Sequence, residues 1–194
     1  AATTPATATA AAATPAPTAI PQPPAPVAQH YSTITTWAEF DTWLAAINAA
    51  ALTAIDTETT SLHAMQAQLI GISLCVQAGH AAYIPLGHEG ADTPEQLPLQ
   101  AVLDKLRPWL EDANKPKLGQ HIKYDSHVFA NHGLTIRGYQ HDTMLQSYVL
   151  EAHKPHSLES LALRHLGRSG ASYESICGKG AQQIPFAHVA IEQA

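Results

Sequence analysis

Three strand-like segments stand close together in the first half of the sequence and limit the folds open to it. They cover residues 52–57, 68–76 and 81–86 and are rich in Ile, Leu, Val, Ala and Thr. The second and third are separated by Gln77-Ala78-Gly79-His80, a turn signal too short for a parallel crossover. The segments therefore predict an antiparallel meander.

Helical periodicity surrounds this meander. A Ser/Thr-x-x-Glu capping box at Thr36 and Glu39 predicts a helix that runs to about residue 50. After the meander we expect a helix over 99–110, a strand at 117–118, a helix over 121–131, a strand over 134–136, a helix from Asp142 to 150 and a helix from Ser157 to 166. This order predicts an α/β fold, in which three antiparallel strands and then alternating helices and strands form a mixed sheet flanked by helices.

The first 30 residues have a different composition. Of residues 1–26, 24 are Ala, Pro or Thr and seven are Pro, and no Asp, Glu, Lys or Arg occurs before Glu39. Such a stretch has no apolar periodicity with which to bury a core, so residues 1–30 are expected to be a disordered or extended linker and residues 31–194 a domain. A linker implies a neighbouring domain, and a tail on a free-standing protein is the alternative.

Charge and cysteine content exclude several classes of protein. The formal net charge is −6, which argues against a broad basic surface for nucleic acid, although an acidic site that binds divalent metals can still reach a phosphodiester. Cys75 and Cys177 are far apart and the 12 histidines are scattered, so neither a disulfide framework nor a zinc site is expected. Without a membrane-length apolar run or a signal peptide, the expected location is the cytoplasm.

Three carboxylates are candidates for chemistry. Asp56 and Glu58 are two residues apart in a predicted strand, so their side chains share one face and can approach a common cation. Asp125 lies in the first turn of the helix that follows the strand at 117–118, and it can approach the same edge of the sheet. Taken alone, the first two also suit a solvated turn, and Asp125 also suits a helix N-terminus.

Several sequence motifs resemble those of one family. Residues 54–59 (Ala-Ile-Asp-Thr-Glu-Thr) with Ser61-Leu62 resemble the first exonuclease motif of family A DNA polymerases, and residues 119–125 (Gly-Gln-His-Ile-Lys-Tyr-Asp) resemble the second. Residues 82–85, 141–148 and 178–180 continue the match in the order found in bacterial DNA polymerase I. The resemblance implies a ribonuclease H-like fold of the DEDD superfamily and a proofreading 3′ to 5′ exonuclease.

The resemblance also implies roles for single residues. Asp56, Glu58 and Asp125 would bind two divalent ions, Mg²⁺ or alternatively Mn²⁺ or Zn²⁺. Leu62 would wedge against the terminal bases and Tyr173 would stack on the frayed strand, and the residues expected to contact DNA are Thr59, Leu62, Gln120, His121, Tyr124 and Tyr173. The expected substrate is a single-stranded or frayed DNA 3′ end, processed by a monomeric, nucleoid-associated bacterial protein. A 5′ nuclease domain would precede this domain and a polymerase domain would follow it.

Two departures from the family pattern affect this interpretation. His121 stands where an Asn is common, which changes little because both can donate a hydrogen bond. The third motif, a Tyr followed four residues later by an Asp, is expected shortly after Ala194, so the chain as printed is expected to be inactive or very slow. One alternative is a catalytically silent spacer domain of a family A polymerase, and a second is a ribonuclease D-like enzyme that acts on RNA.

Overall fold

A six-stranded mixed sheet forms the centre of the computed structural model, which describes residues 27–90 and 93–194. The strands follow the order β1-β4-β3-β2-β5-β6 across the sheet. Their bounds are β1 His30–Thr33, β2 Thr53–Thr59, β3 Leu69–Gln77, β4 His80–Pro85, β5 Lys117–Gly119 and β6 Tyr139–Asp142.

Helices flank the sheet. Their bounds are α1 Trp37–Ala49, α2 Leu99–Leu110, α3 Ile122–Asn131, α4 Thr143–Glu151, α5 Leu158–Leu166 and α6 Tyr173–Cys177, and three 3₁₀ turns follow at Gly180–Gln182, Phe186–His188 and Ile191–Gln193. The predicted capping box is present, because the Thr36 side chain accepts a hydrogen bond from the Glu39 N–H and the Glu39 carboxylate accepts one from the Thr36 N–H. The prediction of a mixed sheet flanked by helices is confirmed.

The direction of pairing changes at β2. This strand pairs antiparallel with β3, which pairs antiparallel with β4, so the predicted meander is confirmed. On its other side β2 pairs in parallel with β5, and β5 pairs in parallel with β6. Since parallel strands end at the same edge, the carboxyl ends of β2, β5 and β6 lie together, which is where α/β folds commonly place their ligands.

Two strands differ from the sequence prediction. Residues 134–136 were predicted to be a strand, which is wrong: they form a coil, from which buried Leu134 and partly buried Ile136 pack on the core, and the strand is β6 at Tyr139–Asp142. Strand β1 was not predicted, because its exposed residues show no apolar alternation and its pairing with β4 joins distant parts of the chain. Residues 1–26 of the predicted linker lie outside the described residues, and β1 starts at His30.

The main hydrophobic core fills the space between one face of the sheet and helices α1, α2 and α3. The sheet contributes inward side chains such as Ile55 and Ile72, and the helices contribute Phe40, Trp109 and Phe129. A smaller cluster packs the C-terminal segment against Ile70 at the start of β3. Both cysteines are free thiols, and no helix in the described ranges is long and apolar enough to cross a membrane.

Candidate active site

The carboxyl end of β2 carries two acidic side chains on one face and a threonine on the other. Asp56 and Glu58 alternate with Thr57, as strand geometry requires, and the buried Thr57 side chain faces the helices. Strand β5, which lies beside β2, ends at Gly119. Gly119 lies opposite about Ile55 of β2, so β5 stops just before the two acids. The two carboxyl groups therefore lie beside an opening in the sheet.

Asp125 reaches this opening from α3. The chain turns from β5 into α3 within two residues, and Gly119 permits the turn, because a Cβ there would lie 2.8 Å from Cγ2 of Ile122 and 3.3 Å from the Ile55 carbonyl oxygen. Asp125 lies in the first turn of the helix and is only 2% exposed. The Thr57 hydroxyl donates a hydrogen bond of 2.6 Å to Asp125 Oδ1, which ties the helix to the strand at the candidate site.

The three carboxyl groups repel one another. Burial first, and then the charges of Asp56 and Asp125, raise the pKa of Glu58 to about 7. Burial, with the charge of Asp56, raises the pKa of Asp125 to about 7, although the hydrogen bond from the Thr57 hydroxyl acts in the opposite direction. Asp56 is open to solvent on one side, yet the walls around it remove enough water for burial to raise its pKa as well. The charge of Asp56 thus raises the pKa of both other acids, and the charge of Asp125 raises that of Glu58, so the three acids share one site.

The donor set suits a hard divalent cation, since it consists of carboxylate oxygens from two elements. Over residues 27–90 and 93–194, however, no three His, Cys, Asp or Glu side chains are already arranged as a ligand set. Carboxylates without a cation between them repel one another and stay apart. A bound cation attracts each of them and so brings them together. The assignment of Asp56, Glu58 and Asp125 as metal ligands and catalytic residues stays a prediction.

Two of the predicted DNA-contact residues bond to each other. The Tyr124 hydroxyl lies 2.5 Å from Thr59 Oγ1 and donates to the Ser61 carbonyl oxygen, also at 2.5 Å. These contacts hold the segment after β2 against α3. In this arrangement Thr59 and Tyr124 shape the edge of the site, and direct contact with DNA stays a prediction.

Gln120 and His121 belong to the turn between β5 and α3. The Gln120 amide donates to the His156 carbonyl oxygen at 2.9 Å and accepts from the Thr143 hydroxyl at 2.5 Å, so it anchors the segment before α5. His121 has a left-handed backbone with φ of 62°, and its ring is exposed. The Asp142 carboxylate accepts from the His121 and Ile122 N–H groups and also caps α4, the helix that the sequence predicts to start at Asp142.

Leu62 and Tyr173 are the predicted contacts with the terminal bases. Leu62 is 94% exposed and Tyr173 is 52% exposed. A hydrogen bond with Cys177 is the main cause that raises the pKa of Tyr173, and the charge of Glu58 contributes. Tyr173 therefore lies within reach of the acidic site, with a ring face open to solvent.

An apolar cavity of about 270 Å³ adjoins Asp56 on the face of the sheet opposite the main core. It extends from Asp56 and Gly119 past Ser73 to Leu158 at the start of α5. The acidic edge thus opens on a concave, largely apolar surface.

Thr57 is the residue at this site that the sequence analysis missed. The available signal was its position between two acids in a strand, because alternation turns it toward the core, where a buried hydroxyl needs a partner. The partner is Asp125, 68 positions further along the chain.

Comparison with known proteins identifies the family. The sequence model of the 3′–5′ exonuclease domain of family A DNA polymerases matches residues 31–193. The chain belongs to this family. DNA polymerase I of Pseudomonas aeruginosa is 50% identical to it over 167 residues, which cover 84% of the chain and 18% of the polymerase. The chain also spans 18% of the length of DNA polymerase I from Rhizobium leguminosarum, so it matches only one part of each of these polymerases.

Solved structures show the same fold. Escherichia coli RNase D, described as an exoribonuclease involved in structured RNA processing, matches with a TM-score of 0.55 and 21% identity over 76% of the chain and 36% of its own. Brucella melitensis NrnC with bound Mg²⁺ matches with a TM-score of 0.53 and 20% identity over 75% of the chain and 65% of its own. These similarities confirm the ribonuclease H-like fold, and with the family match they make the chain a 3′–5′ exonuclease domain of the DNA polymerase I type.

Proposed function

We propose that this domain removes nucleotides from the 3′ end of single-stranded or frayed DNA by metal-dependent hydrolysis and so proofreads for an attached polymerase. The observation that carries the proposal is the approach of Asp56, Glu58 and Asp125 to one edge of the sheet, where burial and the charge of Asp56 raise the pKa values of Glu58 and Asp125. The product would be a 5′-nucleoside monophosphate.

Asp56 and Glu58 would hold one divalent ion, and Asp125 would help to position a second. Mg²⁺ and Mn²⁺ suit these oxygen donors best, with Zn²⁺ as an alternative. When bound, such ions stabilise negative charge on the scissile phosphate and make a water molecule more acidic. Thr57 contributes by fixing one oxygen of Asp125, so that the carboxylate from α3 keeps its direction.

The exposed side chains around the carboxylates would select the substrate. A mismatched 3′ end unpairs at less cost, so it reaches a single-strand site more often. Tyr173 would stack on an unpaired base without regard to sequence, and Leu62 would press against the terminal base pair. The remaining predicted contacts, from Gln120, His121 and the Thr59–Tyr124 pair, would border the path of the strand.

The proposal includes a cellular setting. The domain would act as part of a monomeric polypeptide, between a 5′ nuclease domain and a polymerase domain, on DNA in the bacterial nucleoid. Support comes from its 18% coverage of DNA polymerase I from Pseudomonas aeruginosa.

Asp56→Ala tests the catalytic assignment. In a polypeptide that continues beyond Ala194 through the third motif, we expect Mg²⁺-dependent degradation of 3′-labelled single-stranded DNA to fall at least about 100-fold, because a metal ligand is lost. Asp104→Ala, at an exposed position on α2, is the matched control and should keep the parent rate. Undiminished hydrolysis by Asp56→Ala would refute the assignment.

Two further arms separate the alternatives. A silent spacer should show no specific Mn²⁺ site in isothermal titration, whereas the proposed enzyme should show one that Asp56→Ala removes. A ribonuclease of this fold should degrade an RNA oligonucleotide faster than the matching DNA, and we expect the reverse.

A further inference from the structure

Tyr139 is placed directly beneath the acidic edge. It opens strand β6 and pairs with Lys117 of β5, the strand that ends beside Asp56. A methyl group built on Gly119 would lie 3.6 Å from Cε1 of Tyr139, so the ring packs below the turn that leads into α3. The side chain therefore points from the last strand toward the opening in the sheet.

The Tyr139 hydroxyl is a buried donor without a partner. Its oxygen is buried and forms no hydrogen bond with any residue in the described parts of the chain. Leaving a buried hydroxyl unpaired is costly, so such a group requires an explanation.

Carboxyl groups influence this hydroxyl. Burial first, and then the charges of Asp125, Asp56 and Asp142, raise the pKa of Tyr139. The phenol consequently stays protonated at neutral pH and can donate a hydrogen bond.

Only one of the three carboxylates is suited to receive this donor. Asp142 already accepts from the N–H groups of His121, Ile122 and Leu145. Asp56 lies on the side of β2 that is open to solvent. Asp125 is buried like the phenol, and the Thr57 hydroxyl occupies its Oδ1, so a second donor would be directed at Oδ2.

We infer that Tyr139 is a positioning residue for Asp125: its hydroxyl donates a hydrogen bond to this carboxylate when the group turns to bind a cation. The inference rests on the proposed metal-dependent function. Thr57 and Tyr139 then hold Asp125 from two sides, through one hydroxyl each. Partners of this kind orient a ligand, and their loss typically weakens metal binding about 10-fold to 100-fold.

Tyr139→Phe tests the inference, because it keeps the ring and removes only the hydroxyl. Isothermal titration of Mn²⁺ into the 194-residue protein should give a dissociation constant at least about 10-fold higher than the parent value. In EDTA the variant should unfold at the parent temperature or above it, since the lost hydroxyl is unpaired in the metal-free structure. Mn²⁺ should therefore raise the unfolding temperature of the variant by less than it raises that of the parent.

Two controls separate this role from a structural one. Tyr148→Phe, at a half-exposed position on α4, should leave Mn²⁺ affinity unchanged. In an Asp125→Asn background, Tyr139→Phe should cause no further loss of affinity, because both changes remove the same contact. A further 10-fold loss of Mn²⁺ affinity in that background would show that Tyr139 does not act through Asp125.

The outcomes also separate this inference from the proposed function. If the parent binds Mn²⁺ and Tyr139→Phe binds it equally well, the role of Tyr139 is refuted and the metal-dependent function stands. If the parent itself takes up no Mn²⁺, the proposed function fails at its metal site and the inference fails with it.

Discussion

Thr57 lies between two catalytic candidates, Asp56 and Glu58, and holds the carboxylate of a third candidate, Asp125. Its hydroxyl donates a hydrogen bond to the buried carboxylate of Asp125. One residue thus links the strand that carries two acids to the helix that carries the other.

Thr57→Val should weaken the site without disrupting the strand. Valine keeps the shape and the β preference of threonine but cannot donate to Asp125. We expect Mn²⁺ affinity to fall about 10-fold, measured by isothermal titration. Thr53→Val is the matched control, because Thr53 is also buried on the same face of β2, four residues earlier. Equal Mn²⁺ affinity in the Thr57 and Thr53 variants would show that the hydrogen bond has no role at the site.

His88 should make stability depend on pH. It is buried between Tyr83 and the C-terminal segment, its Nδ1 donates to the Val189 carbonyl oxygen at 2.9 Å, and its Nε2 accepts from the Tyr83 hydroxyl at 2.7 Å. Burial lowers the pKa of His88 below its ordinary 6.5. The unfolded chain therefore binds this proton more readily, so the contribution of His88 to the free energy of unfolding is present above pH 6.5 and lost as the pH falls toward its folded pKa.

Chemical denaturation between pH 7.5 and 5.5 in EDTA tests this prediction. The free energy of unfolding should fall less steeply with decreasing pH in His88→Gln than in the parent. His153→Gln, at an exposed position, should keep the parent slope. Equal slopes for parent and His88→Gln would contradict the prediction.

The acids of the site could be found from the sequence, but their environment could not. Spacing places Asp56 and Glu58 on one face, and the motif resemblance adds Asp125. The partners of Asp125 are distant in sequence and become neighbours only when β6 and α3 assemble on the sheet. The position of Thr57 between two acids indicates that its hydroxyl needs a partner, but neither it nor a Tyr at the start of a polar strand indicates that the partner is Asp125.

At the level of secondary structure, Asp142 joins two helices at the site. Its carboxylate caps α4 through the Leu145 N–H and also accepts from the His121 and Ile122 N–H groups at the start of α3. It thereby holds His121 in its left-handed conformation and fixes the first turn that presents Asp125.

Asp142→Ala should therefore cost more than the loss of one ordinary cap. We expect the free energy of unfolding to fall by about 2 kcal/mol, because the loss of each cap lowers it by about 1 kcal/mol. Ser157→Ala removes the single cap of α5 and should cost about 1 kcal/mol. Equal losses in the two variants, measured by urea denaturation, would show that Asp142 supports only one helix.

Elements with strong local signals were predicted well. The capping box at Thr36, the cap at Ser157 and the turn between β3 and β4 all occur where the sequence indicates them. Each depends on residues within a few positions of one another, so the sequence contains the whole cause.

Elements that depend on distant pairing were predicted poorly. Residues 134–136 alternate in polarity like a strand, but they form a coil whose apolar side chains pack on the core. The polar segment Tyr139–Asp142 becomes a strand because it pairs with the free edge of β5. Strand β1 is exposed and polar, and it exists only through its pairing with β4. No window of sequence around either segment contains its partner.

At the scale of the whole molecule, the change of pairing at β2 creates the site. Strand β2 pairs antiparallel with β3 on one side and in parallel with β5 on the other, and β5 stops before the two acids. The opening admits Asp125 from α3 and adjoins the cavity beside Asp56. A chain with a formal charge of −6 can bind a phosphodiester at such a place if cations first neutralise the carboxylates.

Crystals soaked in Mn²⁺ and measured at a wavelength with anomalous scattering from manganese would locate those cations. We predict anomalous peaks at the end of β2 in direct coordination with the carboxyl oxygens of Asp56 and Asp125, with the Glu58 side chain drawn toward the ion beside Asp56. If two ions bind, they should lie about 4 Å apart. Full manganese occupancy elsewhere, with no peak at these carboxylates, would contradict the proposed site.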